Sequence, residues 1–169
     1  MNRPQPNEYP TWGETYISKV DRDIFEILND QMLSLPALFR ANADKADYAY
    51  AEGKWTLKEM LGHIIDAERV FAFRITCFAR KEQQPLPGFE EDDYVTNARF
   101  AERDLDDLIE EFIALRKANL YLFKSLNEEE LNRKGIASGR EINVKSILFI
   151  VGGHIIHHVY ILKERYHVV

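Results

Sequence analysis

The sequence has few residues that break helices or cross-link a chain. Its 169 residues include eight glycines and six prolines, and no proline follows Pro87. This composition argues against disordered, collagen-like and proline- and glycine-rich all-β folds, and it favours an all-α fold of one domain. The one cysteine, Cys77, cannot form an internal disulfide, and residues 1–8 lack the apolar core of a signal peptide. We therefore expect a cytoplasmic protein.

Basic residues are also scarce, with 22 lysines and arginines against 28 acidic residues and a formal net charge of −6. The largest basic clusters are local pairs such as Arg80-Lys81, which disfavours a nucleic-acid partner. No apolar run reaches the roughly 20 residues of a membrane span. Residues 147–162 come nearest, but Gly152, Gly153 and three histidines interrupt them. We expect this segment to be a buried core helix, and we expect a small-molecule substrate rather than a nucleic acid or a membrane.

Apolar residues recur at helical spacing in four segments of the chain. Thr56 and Glu59 have the spacing of a capping box, which marks the start of the second segment. Pro36 should end or kink the first segment near Leu35. The predicted helices run from about residue 18 to 35, 56 to 81, 104 to 125 and 143 to 165. Together they predict a four-helix bundle.

Two parts of the chain lie outside these helices. Residues 1–17 contain three prolines together with Tyr9, Trp12 and Tyr16, and we expect an extended arm whose aromatic side chains cover the core of a single domain at 18–169. Between helices two and three, residues 83–93 contain two prolines and four consecutive acidic residues. A connection of this length is unusual unless it crosses the bundle or borders a site. We expect its acidic residues to lie in a solvated loop.

Three of the five histidines lie together in the predicted fourth helix. At 100° per residue, His154, His157 and His158 share the face that carries its apolar residues, and His63 lies on the apolar face of the second helix. A histidine pair at i and i+4 is spaced to bind one metal ion, and a third histidine from another helix would leave coordination positions open, as in catalytic zinc sites. Helical spacing leaves His157 as a competing ligand. It also leaves open that all of them are hydrogen-bonded core residues.

Other residues on the same helices are candidates for supporting roles. Asp66, three residues after His63, is the candidate catalytic residue because its carboxylate could orient an imidazole or hold a water; the alternative is a surface or ion-paired acid. We expect Glu68 to form a surface or interhelical ion pair. Gly152 and Gly153 would each cost a helix about 1 kcal/mol relative to alanine. Close helix packing or room for a bound ligand would explain them.

Four motifs resemble those of one known family. They are Tyr48–Thr56 (YAYAEGKWT), Gly62–Phe71 (GHIIDAERVF), Leu86–Phe89 (LPGF) and Gly153–His158 (GHIIHH). In order and spacing they resemble the DinB/YfiT-like superfamily of metal-dependent enzymes, over nearly the whole chain. The resemblance implies a four-helix bundle with a long connection between helices two and three, often in a homodimer. It also implies a divalent metal ion, commonly nickel or zinc, on His63, His154 and His158, with His157 outside the site.

The resemblance also implies a class of reaction. Family members with known activities include thiol transferases that use bacillithiol or mycothiol, and a metal on three neutral histidines would activate a water or a thiolate. We therefore expect a thiol-dependent S-transferase or a hydrolase, with a low-molecular-weight thiol such as bacillithiol as a candidate cosubstrate. Arg69, Arg74 and Arg99 are candidates for binding its acidic groups. Ile155 follows His154 where the zinc-protease motif has glutamate, which disfavours a thermolysin-like peptidase. The alternative function is a non-catalytic metal- or ligand-binding bundle that acts as a dimeric interaction module.

Overall fold

Four long helices and several short elements make up the protein, whose computed structural model describes residues 1–169. In chain order, the helices are α1 (Glu14–Ile17), α2 (Ile24–Ala41), α3 (Leu57–Ala79), α4 (Glu91–Ala98), α5 (Leu105–Ser125), α6 (Glu128–Asn132) and α7 (Val144–Arg165). Two strands, β1 (Lys134–Ala137) and β2 (Arg140–Asn143), form an antiparallel hairpin between α6 and α7. The predicted four-helix bundle is confirmed, with α2, α3, α5 and α7 as its members.

The order of the helices around the bundle differs from their order in the chain. Both α2 and α3 pack against α5 and against α7. Consecutive helices α2 and α3 therefore lie on opposite sides of the bundle. The apolar helix α7 is long enough to cross a membrane, but 67% of its most apolar window is buried inside the protein, as expected of a core helix.

The last three long helices begin and end within two residues of their predicted bounds. The capping box at the start of α3 is present: the Thr56 hydroxyl accepts from the Glu59 N–H at 3.2 Å, and the Glu59 carboxylate accepts from the Thr56 N–H at 2.7 Å. Side chains of Asp104 and Asn143 cap α5 and α7 in the same way, each accepting a backbone N–H of the first turn. These contacts satisfy N–H groups that have no partner inside the helix.

The first helix departs from its prediction at both ends. It starts at Ile24, not at residue 18, because the Asp23 carboxylate caps it by accepting from the N–H groups of Phe25 and Glu26. It also continues through Pro36 to Ala41, so the expected stop at Leu35 is wrong. Proline inside a helix costs about 3 kcal/mol. Pro36 is itself buried, and apolar side chains on both sides of it are buried too, which offsets that cost.

The connection between α3 and α5, residues 80–104, is as long as expected but more structured. The acidic run expected in a solvated loop forms the first turn of α4 instead, where negative charge is favourable at a helix N-terminus. The residues between α6 and α7, for which no strand was predicted, form the β-hairpin. Ser138 and Gly139 at its tip both have positive φ, as the tight turn of a two-residue hairpin requires. Leu86 of the connection hydrogen-bonds to both sides of Ala137, which fixes the connection to the hairpin.

A buried polar network joins all four bundle helices. Arg116 of α5 donates two hydrogen bonds to the Glu68 carboxylate of α3, at 2.7 and 2.8 Å. It also donates to the Leu28 carbonyl and the Gln31 side chain of α2 at 3.1 Å, and Gln31 in turn donates to the Gly152 carbonyl of α7 at 2.8 Å. The ion pair expected for Glu68 is therefore interhelical and fully buried.

The two adjacent glycines of α7 allow other segments to approach it closely. A Cβ atom on Gly153 would lie 2.1 Å from the carbonyl oxygen of Tyr16 in α1, and one on Gly152 would lie 2.7 Å from the Cδ1 atom of Ile24 in α2. Close packing therefore explains both glycines. The N-terminal residues are also less extended than expected, since 14–17 form α1, which packs directly onto α7.

Candidate metal centre

Three buried histidines converge between α3 and α7. His63 projects from α3, and His154 and His158 project from successive turns of α7. The Nε2 atom of His154 lies 3.1 Å from that of His63 and 3.0 Å from that of His158, and the three residues form a group whose ligand atoms all lie within 4.8 Å of one another. The chain brings no carboxylate or thiolate into this group.

The arrangement of nitrogen atoms fits a metal ion better than a hydrogen-bonded cluster. A neutral imidazole nitrogen offers either one proton or one lone pair, so the Nε2 atom of His154 cannot make good hydrogen bonds to two other nitrogens at once. A cation accepts lone pairs from all three. Nitrogens about 2.0 to 2.1 Å from a zinc ion are roughly 3.3 Å apart in a tetrahedron, close to the separations of 3.0 and 3.1 Å observed here.

Burial keeps these imidazoles neutral, which is the form that binds a metal. Desolvation lowers the pKa of His63 from 6.5 to about 4, and it lowers the pKa values of His154 and His158 well below the usual range. At pH 7 their lone pairs are therefore free. The rings are held by packing: His63 lies against Trp55, with centroids 4.7 Å apart, and His154 lies against Tyr16 at 5.5 Å.

Two cavities reach the histidines from different sides. The first, of about 180 Å³, is lined by His63 and His154 and by residues from the N-terminal segment, α3, the connection and the hairpin tip: Trp12, Tyr16, Ala67, Phe71, Arg74, Phe89, Glu91 and Ser138. The second, of about 250 Å³, reaches His158 and is bordered by Trp55, Asp92 and Tyr166, among others. A small molecule can therefore approach the cluster through either opening.

The family of this chain follows from its match to a family model. Residues 27–162 match the model of the DinB superfamily, which covers most of the chain and all three histidines. The chain belongs to the DinB superfamily. The solved structures that the chain resembles include YfiT from Bacillus subtilis, which is described as a probable metal-dependent hydrolase with an unusual four-helix bundle topology. It aligns with a TM-score of 0.78 and 15% identity over 99% of this chain and 94% of YfiT. No curated protein matches.

Two other polar candidates of this DinB-superfamily chain, His157 and Asp66, are not members of the histidine group. His157 is half-buried beside the ring of Tyr16, at a centroid distance of 5.5 Å, and it is not part of the group of three. Asp66, the candidate catalytic residue, borders neither cavity. Its carboxylate accepts from Arg69 at 3.2 Å. The turn of α3 that carries it faces α5, where Arg69 also pairs with Glu111.

Several DinB-chain residues at the first cavity were not assigned to it from sequence. Trp12 and Tyr16 line the cavity, although they were expected only to cover the core. Tyr16 also packs against the core, and Tyr9 is buried in it, both as expected. Of the three arginines considered for anion binding, only Arg74 reaches the cavity; Arg69 is ion-paired and Arg99 is exposed. Arg74 follows His63 by eleven residues, which is about 20° in helical angle. That spacing was a signal available in the sequence.

Proposed function

We propose that this protein is a metal-dependent enzyme that acts on a small molecule, with one divalent ion, zinc or nickel, held by His63, His154 and His158. The observation that carries the proposal is the convergence of three buried histidines, two of which, His63 and His154, line the first cavity. Three protein ligands without a fourth are typical of catalytic sites, which keep a position for water or substrate. Structural zinc sites use four protein ligands instead.

When bound, such an ion acts as a Lewis acid and lowers the pKa of a nucleophile that it binds. The chain contributes rigid placement of that ion, because the three ligands project from two long helices rather than from loops. The aromatic walls formed by Trp12, Tyr16, Phe71 and Phe89 limit access of bulk water to the cavity and provide apolar contact for a substrate.

Two reactions fit this proposal, and a different observation favours each. Hydrolysis is supported by the likeness to YfiT, which is described as a probable metal-dependent hydrolase. Thiol-dependent transfer is supported by the second cavity at His158, since it gives a thiol such as bacillithiol and an electrophile separate approaches to one centre. Asp66 would have no part in the chemistry of either reaction, because it borders neither cavity.

The first test is elemental analysis of untagged protein and of two alanine variants in α7. We expect about one zinc or nickel ion per chain in the wild type and in His157→Ala, and loss of the ion in His154→Ala. His157 is a matched control because it lies in the same helix beside the cluster but outside the group of three. Folding of each variant is checked by circular dichroism. Equal metal content in all three proteins, or no metal in any, would overturn the proposed site.

The second test separates the two reactions from a non-catalytic role. Metal-loaded protein is assayed with activated esters and with alkylating electrophiles, each with and without a low-molecular-weight thiol. Product formation that requires the thiol identifies a transferase, and thiol-independent hydrolysis of the esters identifies a hydrolase. Stoichiometric metal with no product in either assay would instead support a non-catalytic metal-binding bundle.

A further inference from the structure

Arg74 is a buried cation without an acidic partner. Its side chain is largely buried in the first cavity, and its Nη2 atom donates to the Pro87 carbonyl at 2.9 Å and to the Ser138 hydroxyl at 3.1 Å. Both acceptors are neutral, and no carboxylate lies within ion-pair distance of the guanidinium. The other buried arginine, Arg116, is fully paired with Glu68. A buried charge raises the free energy of the folded protein unless it is paired. Arg116 already has its counter-charge in Glu68, whereas Arg74 lacks one.

The unpaired part of the Arg74 guanidinium faces the space of the cavity. A guanidinium carries five N–H groups, and the two contacts to protein both come from Nη2. The Nε and Nη1 atoms make no hydrogen bond within the protein and are not fully buried, so they are free to bind a ligand. The ring of Phe89 lies 5.9 Å from the guanidinium carbon, within the range of a cation–π contact, and the two hydrogen bonds of Nη2 anchor the guanidinium. The donors are therefore held in place before any ligand arrives.

The same cavity connects Arg74 to the histidine cluster. Arg74 lies eleven residues after His63 on nearly the same face of α3, and helical side chains lean toward the helix N-terminus, which here is the direction of His63. The walls between these two ends include the rings of Phe71 and Tyr16. A ligand that fills the cavity would thus have one end at the cation, an apolar middle, and the other end at the histidines.

From these contacts we infer that Arg74 is the anion-binding residue of the first cavity and that the ligand of this cavity carries a carboxylate on an apolar or aromatic body. A guanidinium offers paired, planar donors that match a carboxylate. In the metal-free protein, Arg74 is the one cationic side chain that lines the cavity, and the carboxylate of Glu91 also lies at its wall, which disfavours a dianion such as phosphate. This inference rests on the proposed function only for what happens at the histidine end, because binding at Arg74 needs no metal.

The test measures binding of benzoate to chelator-treated, metal-free protein by calorimetry, with neutral benzamide and inorganic phosphate as comparison ligands. We expect benzoate to bind about tenfold or more tightly than benzamide, and phosphate to bind more weakly than benzoate. Arg74→Met should remove the preference for benzoate, and Arg74→Lys should retain part of it. Glu91→Gln should tighten benzoate binding, since it removes a negative charge from the cavity wall.

Arg69→Met is the matched control, because Arg69 lies in the same helix, is paired with Asp66 and Glu111, and does not border the cavity. It should bind benzoate as the wild type does. Unchanged benzoate binding in Arg74→Met, or equal binding of benzoate and benzamide by the wild type, would overturn the inference. Should Arg74→Met fail to fold, Arg74→Lys and Glu91→Gln still decide it, since they must change affinity in opposite directions.

The outcome separates this inference from the proposed function. Arg74-dependent benzoate binding in a protein that takes up no metal would support the anion site and overturn the metal site. Stoichiometric metal together with benzoate binding that is unchanged in Arg74→Met would support the metal site and overturn the anion site. Because binding is measured without metal, direct coordination of the carboxylate by an ion cannot imitate the effect of Arg74.

Discussion

Replacing Arg116 with methionine should destabilise the protein by about 3 to 5 kcal/mol. The Arg116 and Glu68 side chains are 0% and 2% exposed, so the variant leaves a buried carboxylate whose remaining side-chain donor is Asn119, at 3.1 Å. It also removes the donors that join α5 to Leu28 and Gln31 of α2. The loss would be a large part of a typical total stability of about 5 to 15 kcal/mol. The measurement is urea unfolding of metal-free protein at pH 7, followed by circular dichroism.

Arg40→Met is the matched control for this measurement. Arg40 also joins α2 to α5, through Glu110 at 2.6 Å, but both side chains are about half exposed or more. Such a pair contributes about 0 to 1 kcal/mol. Combining Arg116→Met with Glu68→Gln should recover part of the lost stability, because the buried charge is then gone. If Arg116→Met and Arg40→Met were equally stable, the argument that burial makes this network important would be refuted.

Three further predictions concern local features. Gly153→Ala should destabilise the fold by about 1 to 3 kcal/mol and weaken metal uptake, because the new Cβ would meet the backbone of α1. Gly152→Ala should cost less, because its Cβ would meet only the end of the flexible Ile24 side chain. Urea unfolding of the two variants in parallel measures the difference. Metal-free protein should lose stability as pH falls below 6.5, because His63 takes up a proton near pH 6.5 in the unfolded chain but only near pH 4 in the folded one. This residue alone should lower the free energy of unfolding by about 2 kcal/mol between pH 7 and pH 5. Measured unfolding energies that are flat over this range would contradict that reasoning. Thr56→Ala should cost about 1 kcal/mol by loss of the capping box at α3, and a thermal melt that matches the wild type would show that the cap contributes nothing.

Much of the bundle was predictable because its signals are local. The apolar periodicity of three long helices, the capping box at Thr56 and the shared face of His154 and His158 each lie within a short stretch of sequence. His63 converges with that pair because the apolar faces of α3 and α7 both point into the bundle core. The continuation of α2 through Pro36 was not predictable in the same way, since tertiary burial offsets a local preference there.

The residues missed at the first cavity are those brought together by contacts between distant segments. Tyr16 reaches His154 because Gly153 admits the α1 backbone, and Ser138 reaches Arg74 because the hairpin pairs with the connection at Leu86. None of these contacts has a periodic signature in the sequence. The surroundings of Asp66 were not predictable for a similar reason, because the Arg69–Glu111 pair beside its carboxylate depends on how α3 packs against α5.

The first cavity divides its parts between two kinds of structure. The histidines and Arg74 stand on long bundle helices, while Trp12, Phe89 and Ser138 come from the N-terminal segment, the connection and the hairpin tip. Substitutions in those three segments can reshape the cavity without moving the three histidines, so the size and chemistry of the space beside them can vary while the histidine group stays constant. YfiT shares this fold at 15% identity, so the same bundle forms from widely different sequences.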